Sequence, residues 1–342
     1  MNSDKNLTNR FIRSWANRPL FRTAIALALL VTLHAILLSI NSPGVGLEGW
    51  LSAWVNLLRE YAGAGIISLG MMFVITCGGA DLSSGASAAA ISAAAVLFAG
   101  SGLFKMIWKL SAGGIPAYAA IIFAGLAFGA LLGLITGLLI TRGDIPPLIA
   151  TLGTMMLYRG FTLRVMGGVT AALPAGFEQI ALYKILGGAY LPVIYWLVLA
   201  AALYILLNKT VFGKFTVAVG SNEKAAWLAG INVGRTKRLV YMLAGIMTAF
   251  AAVIQLSASG APDFASAGGG YATDAIAACV LGGARMGGGR GYISGAIMGT
   301  LIIAIIKSLP GLSVSPNMGE ALKGAVIIAA FLLQREKSRH TI

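Results

Sequence analysis

Charge is scarce in this chain. Asp, Glu, Lys and Arg make up 11% of its 342 residues, against 58% hydrophobic ones. A mean hydropathy of +0.86 is one that no water-exposed surface of this length tolerates, which excludes a soluble domain. Histidine is scarcer still. The two present, His34 and His340, stand away from any carboxylate or cysteine at metal-ligand or triad spacing, which removes the usual means of metal-assisted and nucleophilic catalysis. The phosphate-binding pattern G-x-x-x-x-G-K-[ST] is also missing, since Gly213 and Lys214 are followed by Phe215 and lack the earlier glycine. The chain therefore shows neither an ATPase of its own nor the residue groupings of an enzyme. Its two cysteines, Cys77 and Cys279, lie in apolar surroundings and read as packed thiols, not as a disulfide framework or a metal site. No Pro- or Ser-rich linker divides the chain, so residues 1–342 read as a single membrane domain.

What the chain has in abundance is long apolar runs. In lipid the backbone finds no water to bond, and the weak alternation of a barrel is absent, so these runs predict helices. Each is near the ~20 residues needed to cross the hydrocarbon core. About ten spans are expected, near 22–40, 60–79, 82–100, 115–140, 147–166, 191–208, 239–259, 272–284, 291–309 and 319–334. The basic leader, 1–21, raises the possibility of a signal peptide. It is long, and the NSPG after the first run offers no small-x-small cleavage site, so a retained first helix is expected.

A net charge of +14 would point to nucleic acid in a soluble protein, but its distribution points to membrane topology. Fourteen of the 25 basic residues fall in three segments: the leader with the adjoining Arg22, the loop at 209–238 and the tail at 335–342. An even number of spans puts all three on one side, and the positive-inside rule makes that side cytoplasmic, both termini included. Arg159 and Arg164 fit least well and must snorkel or pair.

The 45 glycines are about twice the average share. Gly125, Gly129, Gly133 and Gly137 recur every four residues, on one helix face, and predict a packing seam. A faint internal echo links VITCGGADLSSGA at 74–86 with CVLGGARMGGGRG at 279–291, and repeats of this kind build transport pathways. The first copy contains an anomaly. Asp81 stands inside membrane-buried sequence, where an acid costs on the order of 2.5 to 3.5 kcal/mol at the centre of a helix.

The loop 209–238 carries a short helical signal: Asn222 to cap it, Glu223 in its first turn and Gly230 to end it. Its apolar residues, Trp227 and Leu228, either pack on the chain's own spans or dock into a partner's groove.

Glu223, Ala225, Ala226, Gly230 and Ile231 resemble the cytoplasmic coupling-helix motif of bacterial ABC importer permeases. GGADLSSGA, then IPPLIATLGTMMLYRG at 145–160, AVGSNEKAAWLAGINVGRTK and YATDAIAACVLGGARMGGGRG at 271–291 resemble, in that order, the permeases of ribose, galactose and related monosaccharide importers. The likeness runs from about residue 60 to 334. It implies a multi-pass permease subunit of a bacterial cytoplasmic (inner) membrane, paired with a second permease subunit, the same chain or a related one. It further implies a separate ABC ATPase that uses ATP and Mg, and an extracytoplasmic binding protein that delivers the solute. On this likeness the chain itself binds no cofactor, and Asn222, Glu223, Ala225, Ala226, Ala229 and Gly230 couple it to the ATPase.

The same resemblance places Gly78, Gly79, Asp81, Ser83 and Gly85 in a broken-helix signature. Gly282 and Gly283 form its counterpart near 282–291, and Thr151 and Asp274 join them as candidates for the translocation path. On physical grounds the glycines break the chain between the second and third spans, while Asp81, Ser83 and Ser84 cap the third helix; direct substrate contact by Asp81 is the alternative. Asp274 is expected near the outer mouth, in a capping role. Thr76, Thr154, Gln255 and Ser257 are further polar candidates, although Ser and Thr often bond back to their own helix. Glu320 and Lys323 read as a local helix pair. A self-sufficient secondary transporter or channel is the rival reading, and it would have no need of a coupling helix.

Overall fold

The computed structural model describes residues 19–41, 44, 46–110, 114–167, 173–184, 190–260 and 268–308, together with 321, 324, 325 and 328. The leader up to residue 18, most of the expected tenth span, the Glu320–Lys323 pair, His340 and the tail at 335–342 lie outside the described residues. Among those described there are thirteen helices and no strand. In chain order they are α1 (Pro19–Asn41), α2 (Leu47–Thr76), α3 (Ser84–Gly100), α4 (Gly102–Leu110), α5 (Ile115–Thr141), α6 (Pro147–Met166) and α7 (Gln179–Leu182). Then follow α8 (Leu191–Lys209), α9 (Val211–Ser221), α10 (Glu223–Leu228), α11 (Val233–Ser259), α12 (Tyr271–Leu281) and α13 (Ile293–Ser308).

Five of these, α1, α2, α5, α8 and α11, are long and apolar enough to cross a membrane, and α3 with α4 makes a sixth if the pair, bent by 62°, counts as one span. Several starts are set by residues that need no helical partner for their N–H. Proline occupies the first turn of α5, α6 and α8, where its fixed φ suits the helix and its missing N–H costs nothing. α12 has 11 residues and spans only about 16 Å at 1.5 Å per residue, about half of the hydrocarbon thickness. α2 and α11 begin well before the spans expected from hydropathy, and α4, α7 and α9 have no counterpart among them.

The core is built around α11, which packs chiefly on α5 and also on α2 and α3. The four-residue glycine repeat of α5 makes the first of these contacts possible. A Cβ on Gly129 would lie 2.6 Å from the Gly245 carbonyl oxygen, and one on Gly137 would lie 2.9 Å from the Cα of Arg238. The two helices thus meet backbone to backbone. α2 is the most deeply enclosed of the long helices, with Ala62, Ile66, Leu69, Met72, Phe73, Val74 and Ile75 all fully buried. Its hydroxyl at Ser68 pairs with Thr300 of α13 at 3.0 Å.

Candidate functional site

α2 and α12 end in the same way. At α2 the Gly78 N–H donates to the Ile75 carbonyl and the Gly79 N–H to that of Val74, both at 2.9 Å. At α12 the Gly283 N–H donates to Val280 and the Ala284 N–H to Cys279, at 2.9 and 3.0 Å. These are two Schellman caps, each needing a left-handed residue at its turn; Gly78 has φ +87° and Gly283 φ +86°. The internal echo is therefore structural, but its register follows the caps. Gly78 corresponds to Gly283, one residue off the alignment in which the two GGA triplets coincide.

Past the first break, Asp81 is 6% exposed. The Ser83 N–H and the Ser83 hydroxyl both donate to Asp81 Oδ1, at 2.8 and 2.6 Å. Ser84 Oγ donates to the Asp81 carbonyl at 3.4 Å. α3 starts at Ser84 behind Ser83, with no side chain bonded to its first-turn N–H groups. The expected three-residue cap is thus corrected: Asp81 closes the turn that precedes the helix, and Ser83 is its donor and not a second cap. Gly79 leaves room for the Tyr241 hydroxyl, which donates to the Ala80 carbonyl at 3.4 Å. Tyr241 carried no motif and could not be singled out from sequence.

Gly85, in the first turn of α3, lies against the Gly268 backbone so closely that neither position has space for a Cβ. Beside this contact opens a cavity of about 510 Å³, bounded by Leu82, Gly85 and Ala86, by Met155, Met156 and Arg159 of α6, and by the Gly268–Gly270 turn ahead of α12. Thr151 is fully buried and its hydroxyl donates to the Leu148 carbonyl at 3.2 Å. Thr76 and Thr154 likewise bond back to Met72 and Ala150 of their own helices. None of the three borders the cavity. Ser257 fastens the segment around α7, donating to the Phe177 carbonyl at 2.8 Å and accepting from the Ala181 N–H at 3.1 Å.

Asp274 is no cap. It is 4% exposed, α12 starts without a side-chain cap bond, and Asp274 Oδ2 accepts from Lys307 Nζ of α13 at 2.7 Å. An acid in the first turn of one helix and a base in the last turn of its neighbour each meet the favourable end of a helix dipole, and the N-cap position ahead of the acid is Gly270, which has no side chain to cap with. Gly282 touches the backbone of Gly295, which holds α12 and α13 together at the second break.

At the other end of the chain's long loop, α10 has the start and stop expected of it. Asn222 Oδ1 accepts from the Ala225 N–H at 2.9 Å. The helix ends in a third Schellman cap, with the Gly230 N–H on Trp227 at 2.9 Å and the Ile231 N–H on Ala226 at 3.0 Å; Ala229 is its C-cap. Glu223 pairs with Lys237 of α11 at 2.7 Å, an exposed contact of small energetic weight. Ala226 is buried, whereas Trp227 and Leu228 are 66% and 70% exposed. Ala226 thus seats the helix on its own chain, while Ala225, Ala229 and the two large residues are exposed.

Helices broken at glycine turns, with an open cavity between the starts of α3 and α12, suit a membrane permease with a solute path, and permease is the class that this fold and site define. Residues 54–331 match the model of the family described as branched-chain amino acid transport system / permease component. The chain belongs to that family and is a transport subunit of the inner membrane. It is 43% identical over 290 residues to the ribose import permease protein RbsC of Bacillus subtilis (strain 168), covering 83% of this chain and 85% of that one. It is 32% identical over 339 residues to the ribose import permease protein RbsC of Escherichia coli (strain K12), covering 96% of both. It is 34% identical over 292 residues to the galactose/methyl galactoside import permease protein MglC of the same strain, covering 82% and 86%. No solved structure matches the chain.

Proposed function

We propose that this chain is the membrane-spanning permease subunit of an ATP-driven ABC importer and that it moves a monosaccharide inward. The observation that carries the coupling half of this reading is α10. Its ends are fixed by an asparagine cap and a Schellman cap, yet it presents Trp227 and Leu228 to solvent. Large apolar side chains held out on a short, rigidly capped helix are what a partner's groove requires. Sugar as the solute rests on relatives at 32–43% identity that are named as ribose and galactose permeases. In this reading the cavity beside Gly85 and Arg159 is this subunit's share of the translocation path, completed by a second permease subunit. Asp81 and the glycine turns hold its wall, and the extracytoplasmic binding protein delivers the solute to it. ATP and Mg are used by the partner ATPase. About ten spans with both termini in the cytoplasm put α10 on the ATPase side, consistent with the concentration of Lys and Arg in 209–238.

A tagged chain purified from its native membranes in mild detergent is expected to retain an ABC ATPase, identified by mass spectrometry. The double variant Glu223→Arg with Gly230→Trp is expected to lose it. Its arginine faces Lys237 across the present ion pair, and its tryptophan must adopt the φ of +81° that Gly230 takes, a conformation that side chains resist. A parent chain that comes down intact without any ATPase would sink the importer reading in favour of a secondary transporter.

A further inference from the structure

Both helix breaks and the residues just ahead of α10 meet at one point. The Gly289 N–H, in the loop after α12, donates to the carbonyl of Thr76, the last residue of α2, at 2.8 Å. Gly220, at the end of α9, lies under that bond. A Cβ there would fall on the Thr76 carbonyl oxygen and come within 2.7 Å of the Gly289 nitrogen. A Cβ on Gly288 would lie 2.5 Å from the Gly220 carbonyl oxygen and 2.9 Å from the Cα of Gly78, and one on Gly289 would lie 2.9 Å from the Cα of Ser221. Three backbones are therefore in contact at van der Waals distance, and only Asn222, the cap of α10, separates this junction from the coupling helix. By contrast, Gly287 in the same loop has open space around it, so closeness is confined to the residues that touch.

We infer that Gly220 and Ser221 clamp the coupling helix to both helix breaks, so that α10, the turn leading to Asp81 and the 285–291 loop travel as one body, and that Gly220 is a positioning residue for transport. Packed backbones without intervening side chains leave no soft element to absorb a displacement. A movement imposed on α10 reaches both breaks directly, without first tilting α11. The inference rests on the importer reading for its driving force, but the clamp itself is a property of the chain.

Two experiments on the complete transport complex in lipid vesicles test it. In the first, Gly220→Ala wedges the junction and Gly287→Ala is the control. Gly220→Ala is expected to lower sugar moved per ATP hydrolysed by about tenfold, the scale of a small misplacement of working parts, while the ATPase remains bound and active. Gly287→Ala is expected to match the parent. An assembled Gly220→Ala complex with the parental ratio overturns the clamp. The second uses the parent complex without substitutions and follows hydrogen exchange of the Gly289 amide at rest and during transport. Segments that travel as one body keep the Gly289 N–H on the Thr76 carbonyl, so its protection is expected to be the same in both conditions. Protection that is lost during transport shows that the junction must open, which also overturns the clamp. The second experiment decides the matter if Gly220→Ala fails to assemble. A parent that moves sugar without hydrolysing ATP refutes the importer reading and leaves the exchange result to stand on its own.

Discussion

Lys307→Met is expected to cost the fold roughly 3–5 kcal/mol, the scale on which removing one partner of a buried ion pair destabilises a protein. Asp274 lies 4% exposed in the first turn of an 11-residue helix, and its Oδ2 is 2.7 Å from the Lys307 ammonium. Methionine keeps most of the lysine's apolar stem and removes only the charge. A buried carboxylate then loses the ion pair to its Oδ2, part of what offsets its desolvation. The reciprocal variant, Asp274→Asn, is expected to be milder, because the Lys307 side chain is 21% exposed and can turn its ammonium toward water. The double variant Asp274→Asn with Lys307→Met is expected to recover most of what Lys307→Met loses. Folded yield by size-exclusion chromatography and thermal unfolding in detergent read all three. A Lys307→Met protein as stable as the parent, or a double variant no better than that single one, would show that the pair does not hold α12 to α13.

This pair was half legible in the sequence. Asp274 stands out as an acid in an apolar stretch, but its partner lies 33 residues away, and nothing local distinguishes Lys307 from a lysine that snorkels at a helix end. The same division runs through the molecule. α6 is legible to the residue because Pro146 and Pro147 fix its start and one apolar run fixes its length. α10 is legible because Asn222 and Gly230 act on backbone groups within three or four residues of themselves. The glycine face of α5 shows as a period, although only the structure tells that α11 fills it. What stays hidden depends on contacts distant in sequence. α9 reads as part of the basic loop because its 11 residues are too few to cross a membrane and Lys214 interrupts their apolar run. Gly220 is one more glycine among 45 until Thr76 and Gly289 close around it. The internal echo was visible, yet its register was not, since two equal triplets attract the eye while the caps obey hydrogen bonding.

Asp81→Ala and Asp81→Asn are expected to part company, and the difference locates the role of the acid. Asp81 Oδ1 accepts from both the N–H and the hydroxyl of Ser83, and Ser83 is itself 2% exposed. Alanine leaves two buried donors without an acceptor, at roughly 1–3 kcal/mol for each group left unsatisfied, and frees the turn that aims α3 at Gly268. Asparagine keeps an oxygen at the same position, so the turn survives while the charge is lost. Asp81→Ala is therefore expected to lower folded yield and Tm, with transport falling in proportion to the folded protein that remains. Asp81→Asn is expected to fold like the parent and to transport sugar at a comparable rate. Equal folded yields for the two variants, with transport abolished in both, would contradict the turn-forming role and put the carboxylate in contact with the solute. The geometry favours the first outcome, because Asp81 is buried, does not border the cavity beside Gly85, and holds the Ser83 N–H and hydroxyl on Oδ1.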